Sequence, residues 1–201
     1  MPNYFMIDPS IQLSTERFLV RLLTTNDVPQ LLSFIDTEPE LWKYALIPCN
    51  DGPSMQQYLD DAFADYEKGT AFPFVVIDRA TGEIVGSTRF YDFQPKNSST
   101  LLGYTWYSKH QQGNGINAHC KYLMLQYAFG VLQLERVELR ADMRNDRSIA
   151  AMRKIGFTQE GILRNHLPVA DGTRRDSIIF SALKSEWFGG MKARLESAIS
   201  K

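Results

Sequence analysis

The run His110-Gln111-Gln112-Gly113-Asn114-Gly115-Ile116-Asn117 constrains this chain most, because of what flanks it. Before it, Leu101 to Tyr107 reads as a strand. After it, Gly113 to Leu132 reads as a long helix, with Ile116, Cys120, Leu123, Tyr127 and Val131 on one face. Glycines at a strand-to-helix junction let the backbone turn with positive φ and bring N–H groups near a ligand. Free N–H groups at a helix start, with the helix dipole, favour an anion such as pyrophosphate. The same glycines also suit a plain turn that binds nothing.

The rest of the chain supplies a setting for that loop. Residues 1–12 read as an irregular arm and 16–22 as a first strand. Thr24 to Asp27 offers caps for a helix with Pro29 in its first turn. A short helix near Leu41 to Ala45 stops before Pro48, and another runs from Pro53 to Lys68. The period then changes. Phe72 to Asp78 and Glu83 to Asp92 form an antiparallel hairpin across Arg79-Ala80-Thr81-Gly82. After the loop and its helix come a strand at Arg136 to Ala141 and a helix at Ser148 to Ile155, stopped by Gly156. Two strands follow, Phe157 to Leu167 and Thr173 to Leu183, joined across Asp171-Gly172, and then a helix at 185–199. No repeat or linker interrupts this order, which predicts one mixed-sheet α/β (α+β) domain over residues 1–201.

No Gly-Lys-Ser/Thr follows the loop, so a Walker-type nucleotide site is excluded. Gly113, Gly115 and Ala118 do satisfy the dinucleotide fingerprint, with Asp142 as its ribose-binding acid. Against an NAD(P)-dependent oxidoreductase stand the polar residues Ser108 to Gln112, where that fingerprint wants a tight turn, and the antiparallel hairpin upstream.

Residues 142–157 read Asp-Met-Arg-Asn-Asp-Arg-Ser-Ile-Ala-Ala-Met-Arg-Lys-Ile-Gly-Phe. This segment resembles the second coenzyme A motif of the GCN5-related N-acetyltransferases: an Asn, then Ser, Ala, a basic pair, Gly and Phe. With Gly103-Tyr104-Thr105-Trp106 before the loop and Glu160-Gly161-Ile162-Leu163-Arg164 after it, the chain is most similar to the ribosomal-protein alanine N-acetyltransferase branch, over roughly Leu13 to Trp187. The resemblance implies a mostly antiparallel sheet of about seven strands flanked by helices, whose central pair splays to admit acetyl-coenzyme A. It implies transfer of the acetyl group to a primary amine by a monomer or homodimer. It also implies coenzyme contacts from Tyr104, Thr105, Trp106, His110, Gln112, Gly113, Asn114, Gly115, Ile116, Asn117 and Asn145. His110 stands where the family often has Arg or Gln. A second reading of the same fold is a sensor or scaffold that holds acetyl-coenzyme A without turnover.

Acetyl transfer needs a neutral amine, a thioester held beside it, donors for the oxyanion and a proton for the departing thiolate. Backbone N–H groups near Tyr104 to Trp106 are the oxyanion candidates. Many members of the family protonate the thiolate with a late tyrosine, but no tyrosine follows Tyr127 here. In the resembling branch a serine takes that role, and Ser148 matches it; Ser148 also reads as an ordinary first-turn serine. Asn145 reads as a pantetheine contact, as the helix N-cap, or both. His166 titrates near neutral pH and is the candidate base, though by counting from Glu160 the branch's base aligns with Leu167. A surface or structural His166, with water accepting the proton, is the other reading. Arg136, Arg140, Arg144, Arg147, Arg153 and Lys154 read as a solvated basic face with one or two members near a nucleotide phosphate. Trp42, Tyr44, Phe63 and Tyr66 read mostly as core.

Net charge is −1 and the sequence pI is about 6.3, which argues against a nucleic-acid binder. Three histidines without ligand spacing argue against a metal site. Cys49 and Cys120 read as reduced thiols, and the sequence offers no signal peptide or membrane span. A cytoplasmic location is expected.

Overall fold

The computed structural model describes residues 7–45, 47, 49–169 and 172–200. The first half of the expected arm, Pro48 as a helix stop and Asp171 in the last turn lie outside them. The strands are β1 (Gln12–Ser14), β2 (Phe18–Leu22), β3 (Ala71–Asp78), β4 (Ile84–Gln94), β5 (Ser99–Tyr107), β6 (Arg136–Asp142), β7 (Thr158–Pro168) and β8 (Arg174–Leu183). They form one eight-stranded sheet in the order β1-β2-β3-β4-β5-β6-β8-β7. The sequence suggested about seven strands. The additional one is β1, which is too short to show a period and is fixed by pairing Leu13 with Val20. Every neighbouring pair is antiparallel except β5–β6, which is parallel.

Helices cover both faces. β3 shows why: seven of its eight residues are buried, the pattern of a strand without a wet side. Phe74 and Val76 enter a core with α3 (Ile116–Gln126) and α4 (Asp146–Ile155). Val75 and Ile77 enter a second core with α1 (Val28–Thr37) and α2 (Gly52–Glu67). The side chain of Asp51 caps α2 by accepting from Ser54 N at 2.8 Å, and Pro53 fits its first turn. Asp27, which precedes α1, accepts two hydrogen bonds from Arg21 and two from Thr24. The short helix expected at Leu41 to Ala45 is a 3-10 turn over Pro39–Trp42. Both cysteines are buried and free, and burial pushes the Cys49 thiol up to about 11.

The long helix expected from Gly113 to Leu132 is shorter at both ends. Both glycines sit before its start with positive φ, and α3 passes at Tyr127 into a π-helical turn, Tyr127–Val131. The wider turn shifts the phase of the apolar stripe. Val131, expected on the buried face, is therefore 63% exposed. The C-terminal helix is interrupted in the same way at Trp187–Met191, where Gly190 has φ 136°, and resumes at Lys192–Ile199.

Half of the basic cluster, Arg136, Arg140 and Arg144, is paired with carboxylates. Arg136 holds both oxygens of Glu160 at 2.5 and 2.6 Å, across β8, whose Ser181 donates to the same carboxylate at 2.7 Å. These partners hold the Glu160 carboxyl at about 2, below its ordinary 4.5, with Arg136 the main cause. A depressed carboxylate contributes stability that is complete above its unfolded value and is lost as pH falls through the folded one. Glu160→Gln is therefore expected to lower the melting temperature at pH 7 by roughly 2–4 °C, about 1 kcal/mol for a partly exposed pair. In melts across pH, the gap to the wild type should close between about 4.5 and about 2. A gap unchanged at pH 2 would remove the ion pair as its cause.

Candidate active site

β5 and β6 pair only through Ser99–Arg136, Thr100–Val137 and Leu101–Glu138. Beyond those rungs the strands part, and a cavity of about 740 Å³ occupies the opening. Its walls include Gly103 to Tyr107 of β5, Leu139 to Asp142 of β6, and Asn145 and Ser148 at the start of α4.

On its other edge β5 carries a bulge. Ser87 pairs with Trp106 but Arg89 with Gly103, so Thr88 faces two residues, Tyr104 and Thr105, that occupy no rung. Tyr104 has φ 50°, a left-handed conformation that a bulky side chain adopts only where its surroundings force it. With β6 splayed away, the backbone of Tyr104 and Thr105 has no ladder partner on either side. Such groups on a cavity wall are free to meet a ligand.

The glycine loop closes one end. Gly113 and Gly115 have φ 85° and 87°, and nothing lies within 4 Å of the place a Gly113 side chain would fill. Gly115 is the N-cap of α3 and brings no side chain to its first turn. Among the described residues, the N–H groups of Gly113, Gly115, Ile116 and Asn117 find no acceptor. Uncapped amides at a helix start are the condition for anion binding. The loop itself is braced: Arg17 donates to Asn114 O at 2.8 Å, and Gln112 donates to Tyr107 O at 2.8 Å and accepts from Arg147.

The structure brings most of the expected residues together. Tyr104, Thr105, Trp106, Gln112, Gly113, Gly115, Ile116, Asn117, Asn145 and Ser148 all line the cavity. His110 and Asn114 do not: both are exposed, and the Asn114 amide donates to the His110 carbonyl at 2.9 Å. Asn145 caps α4, its Oδ1 accepting from Ser148 N at 3.0 Å, which leaves its side-chain N–H₂ free among the described residues. The Ser148 hydroxyl also has no partner there. His166 lies behind the wall on β7, its Nδ1 3.0 Å from Ser177 Oγ. Burial, with Arg140, Arg175 and Arg174 nearby, lowers its pKa, so the ring is neutral at pH 7. Trp42 and Tyr44 line the cavity, whereas Phe63 and Tyr66 pack against the cores.

Lys121 gave no signal in the sequence. It follows the apolar stripe of α3 by one place, where a lysine reads as solvent-facing. Instead it is 4% exposed, lines the cavity, and donates to Thr105 Oγ1 at 3.1 Å. Thr105 Oγ1 lies in turn 2.8 Å from Thr88 Oγ1. Burial lowers the Lys121 pKa.

Comparison with known proteins agrees with this geometry. The family described as acetyltransferase (GNAT) domain matches residues 17–158. The chain is 30% identical to the uncharacterized N-acetyltransferase p20 of Bacillus licheniformis, over 88% of this chain and 98% of that protein. It is 25% identical to the ribosomal protein uS5 alanine N-acetyltransferase of Escherichia coli, over 90% and 95%. The structure of Mycobacterium smegmatis RimJ in complex with CoA-disulfide superposes with a TM-score of 0.78, covering 90% of this chain and 88% of that one at 23% identity, and shares the fold. The dinucleotide reading of the loop is not favoured by any of these. An open sheet with one short parallel joint, an uncapped glycine loop after the splayed end of β5 and the family match converge: the chain belongs to the GCN5-related N-acetyltransferases and is an acyltransferase.

Proposed function

We propose that this enzyme transfers an acetyl group from acetyl-coenzyme A to a primary amine by direct attack. The observation that carries the reading is the splay of β5 from β6, with free loop amides at one end and the unladdered Tyr104–Thr105 backbone beside it. The E. coli relative is named for acetylating an alanine of a ribosomal protein, which supports a protein α-amine as one acceptor class.

Each residue then has a task. The free amides of Gly113, Gly115 and Ile116 receive the pyrophosphate. The free Asn145 N–H₂ holds a pantetheine carbonyl. The neutral amine attacks the thioester carbonyl, and backbone N–H groups near Tyr104 to Trp106 stabilise the oxyanion. The carbon–sulfur bond breaks, and the Ser148 hydroxyl donates a hydrogen bond or proton to the leaving thiolate. The amine proton leaves through water. His166 is the candidate end of that relay, behind Ser177.

Calorimetry with acetyl-coenzyme A, using NAD and ATP as controls, tests the donor. Binding of acetyl-coenzyme A alone is expected, and its absence would overturn the reading. For Ser148→Ala, kcat is expected to fall about 100-fold, the lower range for a general acid. Its acetyl-coenzyme A affinity should stay close to that of the wild type. Normal turnover would leave Ser148 a first-turn serine.

A further inference from the structure

One buried arginine on the cavity wall has donors that its surroundings do not fill. Arg175, on β8, is 6% exposed and lines the cavity. Its Nε donates to Ser177 Oγ at 3.0 Å, and its two terminal nitrogens have no hydrogen-bond acceptor among the described residues. No carboxylate there forms an ion pair with it. The nearby acids form their ion pairs elsewhere: Glu138 with Arg136 and Arg140, and Asp142, whose charge also reaches Arg175, with Arg144. Arg89 repeats the pattern next door. It is 4% exposed, lies 4.2 Å from the Tyr104 ring centroid and 5.2 Å from that of Tyr58, and its buried Nε has no partner.

These groups form a row. Arg89 stacks on Tyr104, and the Tyr104 ring meets that of Tyr91 at 5.1 Å. Tyr91 lines the cavity together with Arg140 and Arg175. The row therefore runs past the bulge at Tyr104, where the acetyl group would react, and ends at Arg175, which lines the cavity. A buried guanidinium whose terminal nitrogens lack acceptors is destabilising and calls for a bound acceptor. The planar fork of an arginine fits a carboxylate with two parallel hydrogen bonds. The coenzyme's pyrophosphate does not answer this demand, because its proposed amide cradle is the glycine loop.

We propose that Arg175 holds a carboxylate of the acceptor, so that the enzyme's substrates are primary amines that also carry a carboxylate. This rests on the acetyl-transfer reading above. The carboxylate belongs either to a free amino acid or to an acidic residue near a peptide N-terminus. In both, Arg175 fixes the distance from the anion to the reacting nitrogen while the tyrosine row packs the rest of the molecule.

Matched pairs test this: phenylalanine against phenethylamine, and a peptide beginning Ala-Glu against one beginning Ala-Gln. The wild type should prefer the carboxylate member of at least one pair by about 100-fold or more in kcat/KM, as a site with a buried polar partner does. The pair that shows it identifies the source. In Arg175→Met the preference should collapse, while acetyl-coenzyme A binding by calorimetry is retained and the melting temperature is no lower than in the wild type. Equal rates within both pairs, a preference that survives Arg175→Met, or a lower melting temperature would overturn the carboxylate site and leave acetyl transfer standing. Loss of acetyl-coenzyme A binding in the wild type would instead overturn the underlying reading. If no amine in the panel is acetylated, calorimetry of N-acetylphenylalanine against its carboxamide, with coenzyme A present, decides. Carboxylate-selective binding that is lost in Arg175→Met upholds the proposal, and equal binding refutes it.

Discussion

Gly115→Glu is expected to weaken acetyl-coenzyme A binding by about 100-fold, the worth of roughly two charge-assisted hydrogen bonds. Two effects act together. The residue has φ 87°, where any side chain on an L-residue is strained. A carboxylate there also stands at the start of α3, beside the amides that would receive the pyrophosphate. Calorimetry separates the two through Gly115→Asn, because asparagine tolerates left-handed φ and adds no charge. That variant should lose much less affinity. Unchanged binding in Gly115→Glu would remove the loop from the coenzyme site.

The largest effect on stability is expected from Gly86→Ala. A methyl group there would lie 2.6 Å from Trp106 O and 2.7 Å from Tyr107 Cδ1. The first of these is backbone, so relief requires β4 and β5 to separate. Overpacking of this kind costs about 3 kcal/mol, or roughly 6–12 °C in melting temperature for a chain of this size. Gly161→Ala is the control, since its added methyl would meet nothing within 4 Å. Equal melting temperatures for the two variants would show that β5 yields at no cost. Because Trp106 and Tyr107 line the cavity, Gly86→Ala should also disturb turnover at temperatures where the protein stays folded.

The elements legible in the sequence were those with a strong local signal. The hairpin over β3 and β4, the strand–loop–helix around Gly113 and the helix stopped by Gly156 each combine a clear period with a turn residue. β1 was not legible, because three residues carry no period and their pairing is tertiary. The ends of the long helices were not legible either. A π-turn is a change of hydrogen-bond partner, and the apolar residues Tyr127 to Val131 continue an α-helical pattern through it. The site divided along the same line. Several cavity-lining residues on the loop and at the start of α4 were expected there, because a glycine pair, a cap or the family resemblance marks them. Lys121 and Arg175 were missed because a charged residue in a helix or strand reads as solvent-facing; their burial depends on strands distant in sequence.

The sheet is best regarded as two plates, β1 to β5 and β6 to β8, meeting along a short seam. Only Ser99, Thr100 and Leu101 on one side and Arg136, Val137 and Glu138 on the other are stitched. Just before the first stitch, Glu135 N donates to Ser98 O at 2.7 Å. The angle between the plates is therefore set at the closed end of the wedge, before the strands part. In the proposed reaction, residues at that end would govern the fit of the donor without contacting it, as the pivot of a pair of tongs governs the gap at its tips.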